Sequence, residues 1–143
     1  MPQAETASVT RQVSAILASM MVGKSAMLTD EVAGMDEAEF ARMADRELAH
    51  LESALEEYDD AFDLDPQPGG ILELEFEDGS KVVVNRHLAA REIWVAARSG
   101  GFHFGPKGGQ WVSGRDGVEL YELLDRVLSE QSGAAVRLTR RSA

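Results

Sequence analysis

Cysteine is absent from all 143 residues, which excludes disulfides, thiolate metal sites and a cysteine nucleophile, and makes a reducing cytoplasm the natural compartment. Proline is scarce, at 4 residues, and aromatic residues make up only 6% of the chain. No run of about eighteen apolar residues occurs, so no membrane-spanning helix is expected. Basic residues are also few: 14 against 25 acids, a formal charge of −11. Each phosphate contact needs a Lys or Arg, so nucleic acid and anionic membranes are poor partners, and cationic ones (metal ions or a basic protein surface) are favoured. Catalytic signatures are missing too. There is no H-E-x-x-H, no Asp-rich calcium loop and no G-x-S-x-G, and the pairs Gly100–Gly101 and Gly108–Gly109 lack the G-K-[ST] ending of a phosphate cradle.

What remains is ordinary for one globular domain: 44% hydrophobic and 27% charged residues in a length that suits a single core. The charge is unevenly placed. Residues 30–78 hold 18 acids against Arg42 and Arg46, a net of −16, whereas the flanking pieces are slightly basic. Residues 1–35, rich in Ala, Ser and Met, read as a flexible N-terminal extension; their charge pattern suits neither a secretory signal nor a transit peptide. The internal Met20, Met21, Met27 and Met35 leave open a natural start downstream of Met1.

From Asp36 the apolar residues Phe40, Ala44, Leu48, Leu51, Leu55 and Tyr58 recur at helical spacing, which predicts a helix of about 22 residues with Asp36 near its N-cap, ending around Asp59–Asp63. The period then becomes 2: Leu72, Leu74 and Phe76 alternate with Glu73, Glu75 and Glu77, and Asp78–Gly79 turns the chain into a second strand over Lys81–Arg86. Further strands are expected at Ile93–Arg98, Phe102–Phe104 and Gln110–Ser113. A second helix follows on Leu120, Leu124, Val127, Leu128 and Gln131, closed by Gly133. Helices at both ends of a meander imply an α+β, two-layer sandwich, with two helices on one face of a five- to six-stranded antiparallel sheet. The domain is expected over 36–135, with 136–143 as a C-terminal tail.

Two constellations could carry function. Glu52, Glu56, Glu57, Asp59, Asp60, Asp63 and Asp65 run through the end of the first helix and beyond. Spacing of i, i+4, i+8 stacks Glu52, Glu56 and Asp60 into a ridge where like charges oppose one another and the helix dipole. Carboxylate oxygens suit hard cations such as iron, manganese, magnesium or calcium, weakly and with water completing the shell; a merely solvated acidic face is the competing reading. The second constellation is Trp94, out of phase with Ile93 and Val95 and therefore expected to face water beside Asn85, Arg86, Arg91 and Arg98, the composition of a binding hot spot; a Trp closing the core edge is the alternative. Trp111 is expected in the core or at a strand edge, and His50, His87 and His103 as isolated structural or surface residues.

Over residues 36–135 these segments resemble the bacterial branch of the frataxin family. The likeness rests on the acidic helix E-F-A-R-M-A-D with L-E-S-A-L-E-E-Y-D-D, the hairpin G-G-I-L-E-L-E-F-E-D-G-S-K-V-V-V-N-R, the pair I-W-V-A-A-R-S-G-G-F-H-F, and W-V with D-G followed by L-Y-E-L-L. The resemblance implies a frataxin-like sandwich without catalysis of its own, which takes part in iron–sulfur cluster assembly. It would bind iron (Fe²⁺/Fe³⁺) weakly on the ridge Glu52, Glu56, Glu57, Asp59, Asp60, Asp63 and Asp65 and use that ridge to regulate the cysteine desulfurase. Asn85, Arg86 and Trp94 would face the iron–sulfur scaffold protein. It further implies a cytoplasmic monomer, with iron-driven oligomerisation left open. An iron-oxidising, iron-storing protein is the alternative, and the missing His–carboxylate cluster counts against it. The chain departs from the family pattern at His87, in the Pro-free stretch Leu88–Arg91, at Ser53, and at Pro66 and Pro68.

Overall fold

The first helix, α1, forms over Glu37–Glu56 because its start is capped and one face is apolar: the Asp36 side chain accepts from the Glu39 N–H at 2.7 Å, and Phe40, Ala44, Leu48, Leu51 and Leu55 are buried along one stripe. This is a computed structural model, and it describes residues 35–141; the expected extension over 1–34 and the last two residues lie outside the described part.

Six strands follow: β1 (Asp63–Gln67), β2 (Ile71–Glu75), β3 (Lys81–His87), β4 (Glu92–Ala97), β5 (Gly100–Lys107) and β6 (Gln110–Val112). They pair in strict sequence order, every pair antiparallel. The hairpin at Asp78–Gly79 forms as expected. Glu75 pairs with Lys81, Gly79 adopts a φ of 85° that its missing Cβ permits, and Asp78 Oδ1 accepts from the Ser80 N–H at 2.9 Å.

The edge strand β1 contains Pro66 opposite Leu72; an outer strand tolerates a residue with no N–H to donate. The second helix, α2, spans Leu120–Ser132. Glu119 caps its start, accepting from the N–H groups of Tyr121 and Glu122, and Gly133 closes it at φ 73°.

One sheet face, carrying Leu72, Leu74, Val82, Val84, Ile93, Val95, Ala97 and Phe104, packs with the apolar stripes of both helices into a single core. The core also takes in Trp111, Val136 and Leu138. The fold thus runs past residue 135. The segment expected as a tail lies against the helices because Val136 and Leu138 are buried, and side chains satisfy its backbone: Ser129 Oγ accepts from the Val136 N–H, Asp125 Oδ1 from the Leu138 N–H, and Tyr58 OH donates to the Arg137 carbonyl at 2.7 Å. Among the described residues no helix is long and apolar enough to cross a membrane.

Candidate functional site

The acidic ridge begins on the exposed side of α1 and leaves the helix sooner than its spacing predicts. α1 stops at Glu56 with Glu57 as its C-cap, and the turn that follows is closed by bonds from the Tyr58 N–H to Leu55 O and from the Ala61 N–H to Tyr58 O. Asp60 is therefore not stacked on Glu56 by helix geometry; only Glu52 and Glu56 share that relation. Asp59 and Asp60 lie in the turn, and Asp63 and Asp65 on β1.

A shallow concavity of about 300 Å³ gathers part of this set. Glu56, Asp59 and Asp63 line it together with Leu55, Phe62, Leu64 and Pro66. Asp63 and Asp65 stand opposite Glu75 and Glu73 across the β1–β2 pair and so extend the acidic surface onto the sheet. Asp65 accepts from Gln67 Nε2 at 2.6 Å, and Glu57 accepts from Thr139 Oγ1 at 3.4 Å.

Counter-charges are elsewhere. The ion pairs of Lys and Arg among the described residues are Lys81 with Glu73 and Glu75, Arg86 with Asp45, Arg91 with Glu37, Arg98 with Asp78, Arg140 with Asp125 and Arg141 with Glu47. None uses a ridge carboxylate. Six of the seven ridge residues are exposed and Glu52 is half-buried, so their repulsion is relieved by water or by whatever binds there. Among the described residues no group of three or more His, Asp or Glu converges as a closed metal site. The donor chemistry suits a hard cation, and the openness suits weak, hydrated binding.

The second constellation differs from its expectation in two ways. Trp94 is 1% exposed, not open to water. It does lie on the sheet face away from the helices, opposite Asn85 and His103. There the His87 ring stacks on one side of the indole at 4.0 Å between centroids, and the His103 ring on the other at 4.6 Å. Its Nε1–H donates to Glu92 Oε1 at 2.8 Å. Burial follows from these neighbours rather than from a second protein layer.

Arg86 is not on this face at all. The pleat turns it away from Asn85, toward the helix side with its partner Ile93, where it pairs with Asp45 of α1 and packs over Gly70. Asn85 is half-buried beside Trp94. The histidines expected to stand alone are thus two parts of one stack, while His50 donates from Nε2 to the Thr139 carbonyl at 2.8 Å.

One buried group escaped the sequence reading. Glu47 is 3% exposed within the apolar stripe of α1, where Trp111 Nε1, Tyr121 OH and Arg141 Nε donate to its carboxylate at 3.1, 2.5 and 3.0 Å. Desolvation, then the hydrogen bond to Glu47, drives the Tyr121 hydroxyl far above the usual tyrosine range. An acid at a core-facing helix position was the available signal.

Comparison with known proteins places this geometry among relatives. Residues 33–134 match the family described as frataxin-like domain. The chain is 50% identical over 104 residues to the iron-sulfur cluster assembly protein CyaY of Dechloromonas aromatica, covering 73% of this chain and 99% of that protein. It is 46% identical over 105 residues to the protein of the same name from Cupriavidus taiwanensis, covering 71% and 95%. Among solved structures it is similar to the frataxin of Psychromonas ingrahamii, with a TM-score of 0.68 and 30% identity over 74% of this chain and all of that one. It is also similar to a trimeric frataxin of the yeast Saccharomyces cerevisiae complexed with ferrous iron, with a TM-score of 0.57 and 30% identity over 64% of this chain and 86% of that one.

Proposed function

The chain belongs to the frataxin family, and from that premise we propose that it is a non-catalytic, cytoplasmic component of iron–sulfur cluster assembly. In this reading it binds iron weakly on its acidic ridge and regulates the cysteine desulfurase by docking the ridge on a basic surface of that enzyme. The observation that carries the reading is the distribution of counter-charge. The described Lys and Arg ion pairs engage acids outside the ridge, leaving Glu52, Glu56, Glu57, Asp59, Asp60, Asp63 and Asp65 to an external cation. The relatives named for iron–sulfur assembly and the yeast relative complexed with ferrous iron support the same direction.

Glu56, Asp59 and Asp63 are the first residues assigned to iron, because they share the concavity. Coordination by one or two carboxylates with water completing the shell gives a site that releases its metal easily, as a donor or sensor in an assembly pathway requires. The same open carboxylates can meet the Lys and Arg of a protein groove, and such docking is steered by charge and weakened by salt. On the opposite flank, Asn85 and Trp94 are assigned to the iron–sulfur scaffold protein. With Trp94 covered by two imidazoles, the contact surface there is the His87–Trp94–His103 stack and Asn85 rather than a bare indole. Arg86 acts in this reading through the fold, holding β3 to α1.

Anaerobic titration of Fe²⁺ into the ¹⁵N-labelled protein tests the ridge. Broadening centred on Glu56, Asp59 and Asp63 is expected. Uniform small changes, or changes centred on the His87–Trp94–His103 stack, would overturn the assignment. Desulfurase binding measured alongside separates metal binding from docking.

A further inference from the structure

We propose that His87 is a proton-sensitive latch on the outer sheet face: neutral, it fastens the turn after β3 and covers Trp94, and protonated it can no longer fasten that turn. The latch does not depend on the reading that this face meets the scaffold protein.

The latch follows from one hydrogen bond. His87 Nδ1 accepts from the Ala90 N–H at 3.1 Å. That bond places the proton of the neutral ring on Nε2, and an imidazolium, with both nitrogens protonated, has no acceptor to offer. Adding a proton therefore removes the bond and sets two donors against each other.

The turn that this bond closes is held under tension elsewhere. Arg91 has a φ of 56°, the left-handed region that a residue with a Cβ rarely occupies. It is kept there by its backbone bond to Leu88 O at 3.2 Å and by its guanidinium, which donates to Leu88 O at 2.7 Å and to Met35 O at 3.4 Å and lies 3.9 Å from Glu37. The turn thus joins the outer face of β3 to the start of α1, and loss of the Ala90 contact removes one of its few fasteners.

Two charged or titratable groups act on His87 in the structure. Glu92, its register partner on β4, favours the cation, and His103, on the far side of the indole, opposes it. Burial outweighs both, pushing the His87 imidazole below its ordinary value. Glu92 Oε1 is already engaged by the Trp94 Nε1–H at 2.8 Å and lies 3.5 Å from His103 Nδ1. A proton arriving at His87 is therefore felt through Glu92 by both other rings.

The test is an NMR titration of the full chain from pH 8 to pH 5, following the His87 and His103 ring protons, the Ala90 amide and the Trp94 indole N–H. The Ala90 amide and the His87 ring are expected to share one midpoint, below the ordinary histidine value of about 6.5. Below that midpoint Ala90 amide exchange, corrected for the intrinsic pH dependence, should quicken about fivefold, the size expected for one ordinary hydrogen bond. In His87→Gln, whose amide oxygen can accept without titrating, the Ala90 transition should vanish. An Ala90 transition that survives in His87→Gln, or one that follows His103 instead, would overturn the latch. Since no partner is needed, failure of scaffold protein to bind at any pH would overturn the docking reading and leave the latch standing.

Discussion

The indole Nε1–H of Trp111 donates to Oε1 of Glu47 across 3.1 Å inside the core, joining a strand residue to an acid 64 positions earlier in the chain. Arg141 Nε reaches the same oxygen at 3.0 Å, and Tyr121 OH takes the other at 2.5 Å. A carboxylate this deep is tolerable only because three donors, one of them a cation, surround it.

Removing that acid should therefore be severe. Glu47→Ala leaves an indole N–H, a phenol and a guanidinium without their acceptor, and a loss of about 3–5 kcal/mol is expected, the range for breaking a buried pair. Glu47→Gln keeps the shape and one acceptor oxygen and should lose about 1–2 kcal/mol. Urea denaturation of the two variants checks the ordering; equal, sub-kilocalorie losses would show that the network is not formed in solution.

Gly70 has a φ of 78°, and a methyl there would overlap Cγ, Cδ and Nε of Arg86. Gly70→Ala should destabilise by about 1–3 kcal/mol through backbone strain and displacement of Arg86. Because Arg86 is tethered to Asp45, the loss should shrink in an Asp45→Asn background, where the guanidinium is free to move. A double-mutant cycle by chemical denaturation measures that coupling.

Charge reversal on the ridge should separate function from stability. In Glu56→Lys with Asp60→Lys, position 56 becomes a cation in the last turn of α1 and a partner for Glu52 at i+4. The helix should gain about 0.5–1 kcal/mol while Fe²⁺ binding and desulfurase docking fall by at least tenfold. Calorimetric Tm and titration of iron and desulfurase are the checks; unchanged binding would remove the ridge from the function.

Acid should weaken the fold in two steps. His87 is held below its usual value, so the unfolded chain binds the proton first; its stabilisation is complete above about pH 6.5 and is lost as pH falls through the depressed folded value. Asp78, lowered chiefly by its bonds with Ser80 and further by Arg98, contributes above its unfolded value of 3.8 and loses that contribution at still lower pH. Urea midpoints measured from pH 8 to pH 3 should show both steps in the wild type, only the lower in His87→Gln and only the upper in Asp78→Asn.

The helix–meander–helix order was legible because each element carries its own period: the stripe from Phe40 to Leu55, the alternation of Leu72 and Leu74 with Glu73 and Glu75, and the cap at Gly133 all depend on neighbours in sequence. Position on a face was harder. Arg86 follows Asn85 by one residue, and a pleat of period 2 sends the two to opposite sides. Trp94 sits in the unbroken apolar run Ile93–Ala97, and such a run implies cover on both faces; the cover comes from His87 and His103, seven residues before it and nine after. The early end of α1 was hidden because nothing between Glu57 and Phe62 breaks a helix by composition. Glu47 was passed over because its partners lie on β6, on α2 and beyond Gly133, at separations no local pattern reports.

The strictly sequential sheet bears on how the protein is made. Each strand pairs with the one just synthesised, so the meander can close hairpin by hairpin as the chain emerges, and such local topology favours fast folding. Glu47 is different: its carboxylate belongs to α1, and its cationic partner among the described residues, Arg141, lies 94 positions later. Until that residue leaves the ribosome, α1 carries an acid in its apolar stripe without its counter-charge. Full docking of α1 therefore waits until Arg141 has been made, and a chain stalled before it would hold its sheet and α1 loosely joined, visible to quality control as unfinished.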